Sequence, residues 1–165
     1  MTNHGTGSLM KTGVLLAAGI LVVRIVLEQI GAPEFINNIF GVAWLYFIFP
    51  VLFALRIVKA GIPGPFKALF KDLLLFALYT RLMVVVTYMA AYALKWQAPR
   101  FSIDRGGNVG PGVSPLQGYL VIPARNMLVW IAFAVVAGML IGGITIFVRR
   151  RKNPLRGTSE RGIDL

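Results

Sequence analysis

A chain of 165 residues that is 57% apolar and only 14% charged, with a mean hydropathy of +0.74, lies far from the roughly 25% charged composition of soluble domains and belongs in a lipid bilayer. With no cysteine and a single histidine, His4, it can build no disulfide, thiolate nucleophile, iron–sulfur cluster, Cys-based zinc site or bis-histidine haem from its own residues, so neither metal nor cofactor is expected. The net charge of +11 gathers at the flanks of apolar stretches, which is a membrane pattern, and no nucleic acid is expected.

Four stretches are long enough to cross about 30 Å of hydrocarbon at about 1.5 Å per residue: Thr12–Ile30, Asn38–Val58, Asp72–Leu94 and Asn126–Val148. They predict one integral membrane domain, an all-α, four-helix up-down bundle. Ahead of the first lies a polar leader, Met1–Ser8. The span itself reads as a retained anchor, because the apolar run continues through Arg24 and Glu28 without a small-x-small cleavage site, and a cut after Ala32 would leave Pro33 next. Arg24 and Glu28 stand one turn apart, in register for an i,i+4 pair. With the span centred near residue 21, they sit about 5 Å and about 10 Å outward of the midplane. Gly31–Asn37, with Ala32-Pro33-Glu34, predicts a tight turn into an antiparallel second helix.

The second span is rich in aromatics, with Phe40, Trp44, Tyr46, Phe47, Phe49 and Phe53. Pro50 at its centre has no N–H to give the Tyr46 carbonyl, which predicts a free acceptor beside a kink. After it, Pro63 and Pro65 break the chain. Phe66, Leu69 and Phe70 then form one apolar face, with Lys67 and Lys71 elsewhere; this is either a short interfacial helix or the first turns of the third span.

The third span carries Arg81, about 3 Å to the cytoplasmic side of its centre. An ionisable group in hydrocarbon costs about 2.5–3.5 kcal/mol on insertion scales and calls for a partner. Here two arginines face one acid, Glu28, for which Arg125 at the outer edge also competes, while Asp72 lies at the cytoplasmic edge. The excess arginine needs neutral acceptors such as Thr80, Thr87, Tyr79 or Tyr88, a bound anion, or an acid from another chain. Three readings remain open: a polar pocket of Arg24, Glu28, Tyr46, Arg81 and Tyr88, a structural network of the same residues, or a partner's acid. One carboxylate without a histidine is too little for a proton relay.

The outer segment Lys95–Arg125 is dense in Gly and Pro over Asp104–Pro115, which rules out a regular helix there. Its glycine spacings are not a phosphate cradle, since no strand precedes them, no Gly-Lys-Ser/Thr occurs and Pro111 and Pro115 intervene. Trp96, Phe101, Leu116, Tyr119, Leu120, Val121 and Ile122 favour a loop packed over the bundle mouth or a partner, rather than a solvated linker. In the fourth span Trp130–Val148 is uncharged, and Gly138 and Gly142 form Gly-x-x-x-Gly, extended by Ala134 and Gly143. Such a stripe serves close packing within the bundle or against another copy or partner. The basic run Arg149, Arg150, Arg151 and Lys152 reads as a stop-transfer flank. An acidic lipid headgroup there is the alternative, at about 1 kcal/mol per residue. Asn153–Leu165 is a polar tail.

Eleven Lys and Arg residues fall on the side of Lys11, the 56–71 loop with Arg56, and the 149–165 end, against four at Lys95, Arg100, Arg105 and Arg125. That imbalance places both termini in the cytoplasm of a multi-pass protein, in a cell membrane such as the bacterial inner membrane. In length and span count the chain is similar to the small membrane subunit of tripartite substrate-binding-protein-dependent transporters, a likeness of size and helix number with no shared motif. The leading functional expectation is a non-enzymatic accessory or self-associating subunit of a membrane assembly, a homo-oligomer or larger complex. The alternative is a small carrier or channel for an anionic or amphipathic solute that uses Arg24 and Arg81. A lipid-modifying enzyme would need a His, Cys or paired carboxylates in the spans.

Overall fold

The computed structural model describes residues 4–152, so the polar tail expected over 153–165 lies outside the described residues. Among those described, the architecture is all-α, and four helical segments are long and apolar enough to cross a membrane.

Helix α1, His4–Gln29, starts inside the expected polar leader. Leu9 and Met10 pack against the core, and Thr12 Oγ1 donates to the Ser8 carbonyl at 3.0 Å, so the apolar face carries the helix further than composition suggests. The chain turns at Gly31, whose φ of +74° is a left-handed conformation suited to glycine. Pro33 then leads into a short helix, α2, Glu34–Ile39. The second span is therefore not one helix from Asn38. It breaks at Phe40-Gly41, passes one 3-10 turn at Val42–Trp44, and continues as α3, Leu45–Lys59. The Trp44 indole N–H, at 3.3 Å from the Asn38 carbonyl, takes up an acceptor exposed at the break.

Helix α4, Pro65–Leu94, opens with proline in its first turn after left-handed Gly64. Phe66–Lys71 are thus the first turns of the third span. Their apolar face is split: Leu69 is in the core, while Phe66 and Phe70 look outward. Helix α5, Ile122–Lys152, follows directly on a single π-helical turn at Gln117–Val121. The fourth helix so begins well before Asn126, and Pro123, which has no N–H to give, follows immediately on the π-helical turn that interrupts the regular ladder there.

The core forms where α5 packs against α3 and α4, with α1 joining through α4 and α3. At its centre Phe49 and Phe76 stack at 4.8 Å, with Phe53 and Tyr46 edge-on to Phe76. Gly13 lets α1 close on this cluster, because a Cβ there would run into the Phe49 ring. Gly138 and Gly142 meet their contacts inside the chain. A Cβ on Gly138 would stand 2.8 Å from Leu73 and 3.2 Å from the Pro50 ring, and one on Gly142 would stand 2.8 Å from Leu69 and 3.0 Å from the Pro50 carbonyl. Pro50 of α3 and the glycine stripe of α5 are two halves of one close approach.

The 95–121 loop is packed. Phe101 is fully buried among Ala91, Ala98, Tyr88 and Trp96. Asn108, at 0% exposure, donates from one Nδ2 to the carbonyls of Tyr88 and Gly118 at 2.7 and 2.8 Å, pinning the loop to α4 and to the start of the fourth helix. Of the expected apolar anchors, Phe101, Trp96 and Ile122 turn inward, whereas Leu116, Tyr119, Leu120 and Val121 are exposed. Between Lys95 and Ser114, short 3-10 turns at Pro99–Phe101 and Ile103–Arg105 are the helical elements among the described residues.

Candidate functional site

The ionisable residues of the spans converge beneath this loop. On α1, Arg24 Nε donates to Glu28 Oε1 at 2.9 Å, the expected one-turn pair. The Glu28 side chain, 2% exposed, is shared with a second arginine: Arg100 Nε lies 2.8 Å from Oε1 and 3.0 Å from Oε2. Arg125, the expected competitor, is exposed instead. The packed loop is what delivers Arg100, since the Pro99–Phe101 turn buries the Phe101 ring and holds the preceding guanidinium 4.3 Å from that ring's centroid. The Tyr88 hydroxyl donates to the Arg100 carbonyl at 3.4 Å. Burial pushes the Arg100 guanidinium below its ordinary range more than Glu28 draws it back, yet an arginine stays charged. A second loop contact, Arg105 with Glu34 of α2, is exposed and contributes little.

Among the described residues Arg81 has no such partner. Its guanidinium carbon lies 5.0 Å from the Tyr46 ring centroid and 4.5 Å from that of Trp130, between two aromatic rings that each attract a cation by up to about 2 kcal/mol when desolvated. The residue is 8% exposed, and its Nε has no hydrogen-bond partner; Arg100 Nη2 is likewise buried without one. The expected neutral acceptors are otherwise engaged. Thr80 shares its hydroxyl with Tyr46 at 2.7 Å and with its own helix, Thr87 bonds the Val84 carbonyl, and Tyr79 faces outward. Among the described residues the Tyr46 carbonyl freed by Pro50 takes no side-chain hydrogen bond, so Pro50 acts here through packing.

Arg24, Arg81 and Arg100 line a single cavity of about 370 Å³ with Tyr88, Trp44 and Trp130. This falls within the usual range of small-molecule sites, about 300–1,000 Å³. Among the described residues no carboxylate lines it. Glu28 stands behind Arg24 and Arg100 rather than in the wall, and Tyr46 lies against Arg81 without reaching the cavity. Of the five residues expected to form a pocket, the structure brings all into one cluster and places three, Arg24, Arg81 and Tyr88, on its surface. Sequence reasoning missed Arg100 and Trp130. Arg100 read as a loop charge, and Trp130 as the start of an apolar span. The surplus of arginine over acid was the available signal that a further charged group belonged to the cluster.

Three guanidinium groups against one carboxylate leave two positive charges uncompensated at the edge of an apolar bundle, where charge is costly. An oxyanion in the cavity would meet fixed donors and offset that charge. Compared with known protein families, curated proteins and solved structures, the chain matches none.

Proposed function

We propose that this is a non-enzymatic, multi-pass membrane protein that binds an anionic ligand in the cavity between Arg24, Arg81 and Arg100. The observation that carries the reading is Arg81, buried and short of a hydrogen-bond partner at Nε, in a wall with three arginines and no acid. The carrier reading built on Arg24 and Arg81 so gains a third arginine. The accessory-subunit reading rests on the same charge surplus, with a partner's carboxylate as the anion, while the glycine stripe that argued for self-association is occupied within the chain.

Native mass spectrometry from mild detergent tests this. Wild-type protein is expected to carry an anionic species, or a co-purified chain in the accessory case, that Arg81→Gln loses while keeping its melting temperature within a few degrees. A wild-type spectrum without either, or an unchanged adduct in the variant, overturns the proposal.

The imbalance of basic residues supports cytoplasmic termini, which would put the cavity and the 95–121 loop on the outer side. In this cysteine-free chain, Asp104→Cys in the loop is expected to react with an impermeant maleimide on intact cells. Ala60→Cys in the α3–α4 turn should react only after permeabilisation. Both positions are exposed, and the reverse pattern would invert the topology.

A further inference from the structure

We infer that the anion is the phosphate of a net-anionic phospholipid, entering the cavity sideways from the membrane between the start of α3 and α5. The inference rests on the anion-binding reading above and specifies its ligand.

The cavity is bordered by an outward-facing aromatic surface. Trp44 and Trp130 line the cavity, and a run of aromatic contacts links them across the surface: Trp44 to Phe47 at 6.3 Å, Phe47 to Phe133 at 6.2 Å and Phe133 to Trp130 at 5.4 Å. Phe47 and Phe133 are no part of the cavity wall, yet they are 42% and 44% exposed. They face the outside of the bundle, where hydrocarbon would lie. The cavity thus borders an apolar, aromatic surface on which acyl chains can rest while a headgroup turns inward.

By helical rise the cavity runs from about 8 Å below the loop end of α1, at Arg24, to about 20 Å below that of α4, at Arg81 near the midplane, so a phosphate held by Arg24 and Arg100 occupies its shallower end and Arg81 its floor. Trp44, at the outer start of α3, borders that shallower end, where tryptophan favours the headgroup boundary. On the loop side Arg100 is tied to Glu28, which fixes that edge of the cavity.

Charge selects the headgroup. Guanidinium forks suit phosphate oxygens; Arg24, Arg81 and Arg100 all line the cavity, and Arg81 Nε and Arg100 Nη2, buried without a partner, leave two of the forks short of hydrogen bonds. A zwitterionic headgroup would bring its amine into a wall without an acid, because Glu28 is already held by two arginines. A net-anionic diester such as phosphatidylglycerol avoids that conflict.

The test uses delipidated full-length protein in mild detergent, titrated separately with phosphatidylglycerol, phosphatidylethanolamine and inorganic phosphate, and read by native mass spectrometry with melting temperature alongside. Phosphatidylglycerol is expected to bind as a single tight adduct and raise the melting temperature. Arg81→Gln and Arg100→Gln should each weaken it about tenfold or more. The triple variant Arg149→Gln, Arg150→Gln, Arg151→Gln should leave it unchanged. Should Arg81→Gln fail to fold, Arg100→Gln, in the loop, makes the same test. Equal binding of phosphatidylethanolamine overturns the charge selection. Saturable, Arg81-dependent binding of inorganic phosphate without phosphatidylglycerol overturns the lipid inference but leaves the anion site standing. Loss of phosphatidylglycerol only in the triple variant assigns the lipid to the basic flank and overturns the inference. No binding of any probe overturns both it and the proposed function.

Discussion

Glu28→Leu is expected to be the most damaging single substitution in the charged cluster. Its carboxylate is buried and is the recorded acidic partner of two arginines, Arg24 and Arg100. Removing it leaves both guanidinium groups, and Arg81 beside them, as unopposed positive charge. Breaking a buried pair in this way costs about 3–5 kcal/mol, because the remaining charge stays desolvated. Were Arg24 its sole partner, the double variant Arg24→Leu, Glu28→Leu would recover most of that loss. Since Arg100 shares the carboxylate, the double variant should recover only part, and adding Arg100→Leu should recover more. Melting temperatures of the single, double and triple variants in detergent read this series as a coupling among three residues. Additive effects of Arg24 and Glu28 would dissolve the cluster, and full recovery in the double variant would remove Arg100 from it.

Replacing Gly138 and Gly142 together with Leu should rival that effect by a different route. Each new side chain must enter space held by Leu73 or Leu69 and by Pro50. Pro50 cannot swing aside, as its ring is fixed to the α3 backbone and its carbonyl belongs to the same wall. Overpacking of this kind costs about 1–3 kcal/mol per site. The double variant should therefore melt roughly 10 °C lower, with the particle mass unchanged. Those two readings separate the possibilities: a changed mass at constant melting temperature would move the glycine stripe to a contact between chains. Trp130–Val148 carries no charge because a charge on its outward side would stand in hydrocarbon, while its inward side meets the core through Ala134, Gly138, Gly142 and Ile146.

What the sequence determined by itself follows from hydropathy and helical geometry. Apolar runs about 20 residues long specify four membrane-length helices, and spacing of one turn specifies the Arg24–Glu28 pair, because both are local properties of a 3.6-residue period. The surplus of arginine over acid was equally legible, and with it the expectation of a polar cluster between helices. Tertiary structure alone decided the rest. Arg100 lies 72 residues from Glu28, and its place at the site depends on a loop without periodicity, folded by the burial of Phe101 and by two hydrogen bonds from Asn108. Trp130 joined Arg81 only because α5 packs against α4 at the register set by Gly138 and Gly142 on Pro50. The break at Phe40-Gly41 and the early start of the fourth helix at Gln117 likewise arise from contacts with distant partners: Arg24 borders the first, where its guanidinium would stand 3.7 Å from a Cβ on Gly41, and the Tyr92 ring packs against Gly118 at the second. Hydropathy measures how a segment partitions into lipid, whereas a site between helices depends on which faces meet. That choice is made by close packing among residues far apart in the chain.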